Sequence, residues 1–131
     1  MRNLILSVLL LLQTSGTPLT RWGNAVKVGS LDVAINEASG LAVSARYSNR
    51  LYHINASGDT GRFFVTDQSG AKAQSVTVSG FDPIDVEDLS IGPCGRTSDC
   101  LFLPDIGDNR QNRLEVEVVE GRQVRDGREV R

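Results

Sequence analysis

Asp85-Val86-Glu87-Asp88-Leu89-Ser90-Ile91-Gly92, followed by Asp105-Ile106-Gly107-Asp108-Asn109, decides how the rest of the chain is read. In each stretch acidic residues abut a short apolar run bounded by turn residues. That is the pattern of a buried β-strand, so the carboxylates fall at strand mouths. Working outward, Leu41-Ala42-Val43-Ser44, Leu51-Tyr52-His53-Ile54-Asn55 and residues 62–66 and 74–79 are further short apolar runs. Turns such as Ser57-Gly58-Asp59-Thr60-Gly61 and Asp67-Gln68-Ser69-Gly70 separate them. Behind the leader no segment carries an apolar stripe of helical period, so an all-β chain is expected.

The second half repeats the first. Ala38-Ser39-Gly40-Leu41-Ala42-Val43 aligns with Val86-Glu87-Asp88-Leu89-Ser90-Ile91 at an offset of 48. Leu51-Tyr52 aligns with Leu101-Phe102 at 50, Gly58-Asp59 with Gly107-Asp108 at 49, and Arg62-Phe63-Phe64-Val65 with Arg113-Leu114-Glu115-Val116 at 51. A four-stranded unit recurring at about 40–50 residues is the signature of a β-propeller blade. An Ig-like sandwich, the rival, needs no repeat. The expectation is about two antiparallel four-stranded β-propeller blades, an incomplete propeller. Residues 26–85 form the first blade with its lead-in, and 86–131 the second, incomplete one. Propellers close with about four to eight blades, so the chain reads as the N-terminal fragment of a longer protein. Its exposed blade faces and strand edges should favour self-association or the docking of remaining blades.

Met1-Arg2-Asn3 leads into the apolar run 4–12, which has the layout of a secretory signal peptide, residues 1–16. Small residues allow cleavage after Gly16, with Thr14, or after Ala25, with Gly23; Gly16 is preferred because Ala25 lies far from the apolar run. The run is too short to span a bilayer, and no cysteine follows it for a lipid anchor. The mature chain is therefore expected to be secreted or periplasmic, with no stable membrane anchor. In that setting Cys94 and Cys100 should form a disulfide stapling a hairpin loop. A zinc site lacks ligands, because His53 is the single histidine. With 14 basic and 16 acidic side chains, a net charge of −2 and no long basic run, no nucleic-acid partner is indicated.

In an antiparallel meander the start of the first strand and the second-to-third connection lie at one end. That places Glu37, Asp82, Asp85, Glu87 and Asp88 on the same rim as Asn55, Asp59, Asp105, Asp108 and Asn109, with the cysteine loop at the other end. Carboxylates sharing a face repel unless a cation or hydrogen-bond donors offset them. Calcium takes six to eight oxygen ligands with loose geometry, which fits such a set. The candidate metal ligands are Glu87, Asp88, Asp105, Asp108, Asn109 and Glu37. For Asp59, Asp82 and Asn55, capping of turns beside glycine is the simpler reading. Asp105-x-x-Asp108-Asn109 lacks the spacing and terminal Glu of an EF-hand. His53, with Ser57 and Asp59 nearby, does not present a triad, because residues two and four apart along a strand and its turn do not align. A hydrogen-bonded ring on a strand face is expected instead. Asn55-Ala56-Ser57 matches a glycosylation sequon.

Glu37-Ala38-Ser39-Gly40-Leu41-Ala42-Val43-Ser44, Leu51 to Asp59, Val86-Glu87-Asp88-Leu89 and Asp105-Ile106-Gly107-Asp108-Asn109 together resemble the N-terminal part of a family of exported bacterial β-propeller proteins of unassigned activity. The likeness runs from about Glu37 to Arg113. A looser one is to six-bladed calcium-dependent propellers of the paraoxonase and gluconolactonase type, with phytase-like domains as cousins. There a Glu-Asp-Leu step supplies calcium ligands, and Glu87-Asp88-Leu89 matches it. That likeness implies Glu87 facing a central calcium and Asp88 a deeper one. The functional expectation is a calcium-binding, non-enzymatic binding or scaffolding module with a small-molecule or glycan ligand left open. The alternative is the N-terminal part of a calcium-dependent esterase/lactonase-like or phytase-like hydrolase. No residue is assigned as catalytic.

Overall fold

Short apolar runs and turn residues yield two antiparallel sheets in the structure, a computed structural model that describes residues 23–96 and 98–122. Strands β1 (Ala38–Val43), β2 (Leu51–Asn55), β3 (Arg62–Thr66) and β4 (Gln74–Thr77) form the first, in the order β1-β2-β3-β4. Strands β5 (Ser90–Cys94), β6 (Ser98–Asp105) and β7 (Glu117–Arg122) form the second, in the order β5-β6-β7. The described residues include no helix, and the sheets do not close on themselves. The signal-peptide stretch 1–16 and the tail past Arg122 lie outside the described residues. Turn chemistry sets the hairpins. Between β3 and β4, Asp67 accepts from the amides of Ser69 through its side chain (2.8 Å) and Gly70 through its carbonyl (3.0 Å). Gly70 sits there at φ +78°, which glycine tolerates without a Cβ clash.

The two sheets share a register. Ala42 pairs with Tyr52 in the first, and Ser90 with Phe102 in the second. Further along, Ala38 lies opposite Asn55 and Val86 opposite Asp105. One extra first-strand residue separates these pairings in both sheets: Ala38 to Ala42 is four steps against three from Asn55 to Tyr52, and Val86 to Ser90 is four against three from Asp105 to Phe102. The sequence match at the third strand does not carry over. Val65 pairs with Tyr52, whereas Phe102 pairs with Glu120, an offset of 55. Residues 113–116 lie in the connection ahead of β7. The second connection, 106–116, is five residues longer than its counterpart 56–61, and an alignment without a gap misplaces everything behind it.

Packing follows the register in an informative way. One core contains Ala42, Tyr52, Ile54, Phe63 and Val76 from one face of the first sheet. Against them lie Val86, Leu89, Leu101 and Leu103, with Ile91 and Val119 alongside. The residues corresponding to Ala42 and Tyr52 are Ser90 and Phe102, which point the other way. The sheets therefore stack front to back. Leu41 and Val43 are 57% and 63% exposed, while their counterparts Leu89 and Ile91 pack in the interface, with Leu89 only 2% exposed. In a sandwich the two inner faces would mirror each other; here one face of a unit meets the opposite face of the next.

The sheets meet closest at Gly40. A Cβ there would lie 2.5 Å from the Leu89 amide nitrogen and 2.6 Å from the Asp88 carbonyl carbon, so only a bare Cα permits this approach. Ser39 Oγ donates to the Val86 carbonyl alongside (2.8 Å). At the far end, Cys94 and Cys100 form a disulfide across the β5–β6 loop, with a Cα separation of 5.6 Å. A ring that small contributes about 2 kcal/mol through loop entropy. Gly40→Ala is expected to destabilise the protein by about 1–3 kcal/mol, the cost of overpacking against rigid backbone. Urea unfolding of the two proteins measures it, and an unchanged midpoint would place the sheets farther apart than described.

Candidate functional site: an acidic rim built on Asp105

Asp105 ends β6 on its core-facing side and is 1% exposed. Buried charge at that place has to be matched by donors. Its Oδ1 accepts from the Asp85 amide (2.6 Å) and Arg113 NH1 (2.8 Å), and its Oδ2 from the Ile84 amide (3.0 Å) and Arg113 NH2 (3.2 Å). The guanidinium also donates to the Gly107 carbonyl (3.0 Å). Burial pushes the Asp105 carboxyl up, but the Arg113 hydrogen bond, the two amides and the guanidinium charge outweigh it and hold the group below its usual range. Two more backbone bonds lock the segment ahead of β5 onto this end, from the Glu87 amide to the Pro104 carbonyl and from the Gly107 amide to the Asp85 carbonyl.

The predicted metal ligands divide by what their oxygens already do. Asp105, with four donors on two oxygens, has no lone pair left for an ion; it is the anchor of the rim. Asp108 caps the following loop, accepting from the amides of Asn112 (2.9 Å) and Arg113 (3.1 Å). The first of these bonds is the main reason its carboxyl lies below the usual range. Asp88 is exposed and turns Oδ1 onto the amide of Leu89. Glu37 is exposed on the neighbouring unit, where its amide donates to Asn55 Oδ1 (3.3 Å). Glu87 and Asn109 each lie beside a residue the sequence did not single out as a ligand, Asp85. Asn109 Nδ2 donates to Asp85 Oδ2 (2.9 Å). The place of a Cβ on Gly107 would fall on the Asp85 carboxylate and 2.6 Å from Glu87 Oε1, so the two carboxylates converge over bare Cα.

Asp85 is the rim residue that the linear sequence undervalues. It stands at the same strand mouth as Glu87 and Asp88, but nothing local marks it as 4% exposed. Its Oδ1 is the one buried side-chain polar atom among the described residues without a hydrogen bond. An unsatisfied buried group costs about 1–3 kcal/mol, more when charged. Asp85, Asp108, Asn109 and Arg110 line a cleft of about 470 Å³. A second cleft of about 370 Å³, lined by Glu37, Asn55, Asp59 and Arg62, shares Ser57 and Gly58 with it, so the rim runs across both units.

In that second cleft Asp59 accepts from Asn55 Nδ2 (2.9 Å), the Thr60 amide (2.7 Å) and Arg62 Nε (2.8 Å), the behaviour of a turn cap. Asn55 is 3% exposed, and its amide nitrogen is shared among Ala34, Asn36 and Asp59, so the sequon is closed to a glycosylating enzyme. His53 lies inside the first sheet with Nε2 on Thr66 Oγ1 (2.8 Å). The Thr66 hydroxyl donates to the Asp67 carbonyl, so the ring donates through Nε2. It is far from acting as a base at the rim. Cys94, Cys100 and Glu120 also gather, but disulfide sulfurs are not thiolates and do not hold a metal. Set against known protein families, curated proteins and solved structures, the chain gives no match.

Asp105→Ala is expected to cost about 3 kcal/mol, since it strands a guanidinium and two amides at a buried site, measurable by denaturant unfolding. Acid acts in two steps. Burial pushes the His53 imidazole below its ordinary 6.5. The unfolded chain therefore binds more protons between the two values, and stability, full above that pH, declines as pH falls beneath it. The carboxyls of Asp59, Asp105 and Asp108 lie below their ordinary 3.8, so their contribution is full above that pH and is lost as pH falls further. Unfolding free energies taken across this range should show both declines. His53→Gln should remove only the first, and a single decline in the wild type would contradict the assignment.

Proposed function

We propose that the chain is two consecutive blades of an exported β-propeller, serving as a non-catalytic binding module whose acidic rim takes up calcium. The observation that carries this reading is the front-to-back repetition. Equivalent strands stack with opposite faces in contact, which brings the strand mouths of both units to a single edge. A heterologous interface of this kind propagates from unit to unit and closes into a ring when the rotation allows. Leu41 and Val43 on one side and Val118 on the other remain exposed, at 57%, 63% and 60%, as faces for further units would be. The Cys94–Cys100 disulfide supports an oxidising compartment.

Binding rather than turnover is favoured because the rim offers carboxylates, amides and arginines without an imidazole, while the single histidine is spent inside a sheet. A bound calcium ion could polarise an ester or phosphate oxygen, and a complete propeller of the hydrolase kind would use it so. Calcium is expected to raise the melting temperature relative to chelator, by about 2.7 kcal/mol of added stability at a hundredfold excess over Kd. Ester, lactone and phosphomonoester hydrolysis should stay at background in both conditions. Identical melting in calcium and chelator would remove the calcium part, and chelator-sensitive turnover would replace the binding module with a hydrolase.

A further inference from the structure

We propose that one calcium-class cation sits over Gly107, held by Asp85 Oδ1, a carboxylate oxygen of Glu87 and the side-chain carbonyl of Asn109. The assignment rests on the reading of the rim as the ion-binding face and names the atoms that do it, a set different from the one the sequence pattern suggests.

The donors of the segments around Asp85 serve other acceptors. The amides of Ile84 and Asp85 and both ends of the Arg113 guanidinium serve Asp105. The Gly107 amide serves the Asp85 carbonyl, and the Asn109 amide serves Oδ2. An oxygen excluded from water on a 4% exposed carboxylate is thus left without a hydrogen bond. A second carboxylate, from Glu87, is brought against the same glycine, where any side chain would collide with both. Like charges converge there only with a cation between them or at a cost in stability.

The groups at hand are all oxygens, which selects a hard cation over zinc or copper. Asp85 and Asn109 line an open cleft, which leaves the remaining positions to water. Calcium accepts that irregular arrangement, whereas magnesium demands a near-ideal octahedron. The Asn109 amide nitrogen orients Asp85 by donating to its Oδ2 (2.9 Å), and in this proposal the oxygen of the same amide turns to the ion. Asp105 stands behind this set as a positioning residue, holding the 84–87 segment without touching the ion. Arg110 lines the same cleft and is the one rival source of positive charge close by.

Calorimetric titration of the full chain, freed of metal with chelator, with calcium chloride and then magnesium chloride tests this. One calcium site per chain is expected, with magnesium weaker. Removing a ligand charge should weaken calcium by about tenfold or more in Asp85→Asn and in Glu87→Gln. Glu37→Gln and Arg110→Ala should bind no worse than wild type. Glu87 is exposed, so its variant reports on the site even if the Asp85 variant does not fold. Calcium binding untouched by Glu87→Gln but lost in Glu37→Gln would overturn the site and leave the rim reading standing. Absence of calcium binding in the wild type would overturn both. Loss of stability in Arg110→Ala with no calcium site would assign the buried oxygen to that arginine instead.

Discussion

The Asp105 carboxylate, accepting four hydrogen bonds at a position closed to water, is what the rest of the rim depends on. Two of its donors are amides of the segment entering the second sheet, and two belong to an arginine of the long connection leaving β6. A single carboxylate therefore ties the end of β6 to a segment 20 residues earlier and to the connection that follows it. Removing it would leave two amides without acceptors and the guanidinium with carbonyl partners alone. Its place on the core-facing side of β6 also explains why a charge stands in line with Leu101 and Leu103: the strand ends there, and the donors arrive from the rim.

The same end of the first unit solves the same problem with weaker means. Asn55, opposite Ala38 as Asp105 is opposite Val86, joins its own lead-in through Glu37, Ala34 and Asn36 and its own turn through Asp59. A neutral amide needs no buried counter-charge, and the corresponding connection is five residues shorter. The longer connection of the second unit is what supplies Arg113. The extra residues and the charge at Asp105 belong together, and their joint presence leaves Asp85 buried with an oxygen to spare.

Much of the architecture is legible in the residues. The apolar period, the Asp-x-x-Gly and Ser-Gly-Asp turns and the six-residue spacing of the cysteines are local features, and they lead to antiparallel strands, a stapled hairpin and a repeat near 50 residues. The alignment at offsets of 48 to 51 fails at Arg113 because a connection of altered length carries no periodic signal. Of the candidate ligands, Glu87 lies by Gly107 next to Asp85, and Asn109 donates to Asp85. Asp105 has the residue type and position of a ligand, yet its oxygens are taken by an arginine and two backbone amides, while Asp108 and Asp88 turn oxygens onto amides of their own loops. A carboxylate looks the same in sequence whether its lone pairs are free or filled.

The sequence by itself determined that the chain folds into short β-strands in two related units, that acids cluster at strand mouths and that the cysteines close a loop at the other end. Each of these follows from side-chain period and turn chemistry within a few residues. Only the tertiary structure decided that the units stack front to back, that Gly40 sits against the backbone of Asp88 and Leu89, and that Asp85 rather than Asp105 carries the unsatisfied oxygen. The physical reason is that burial and hydrogen-bond occupancy are set by partners 20 or more residues away, here Asp105 against Ile84 and Asp85. Whether a carboxylate is anchor or ligand follows from the donors that reach it.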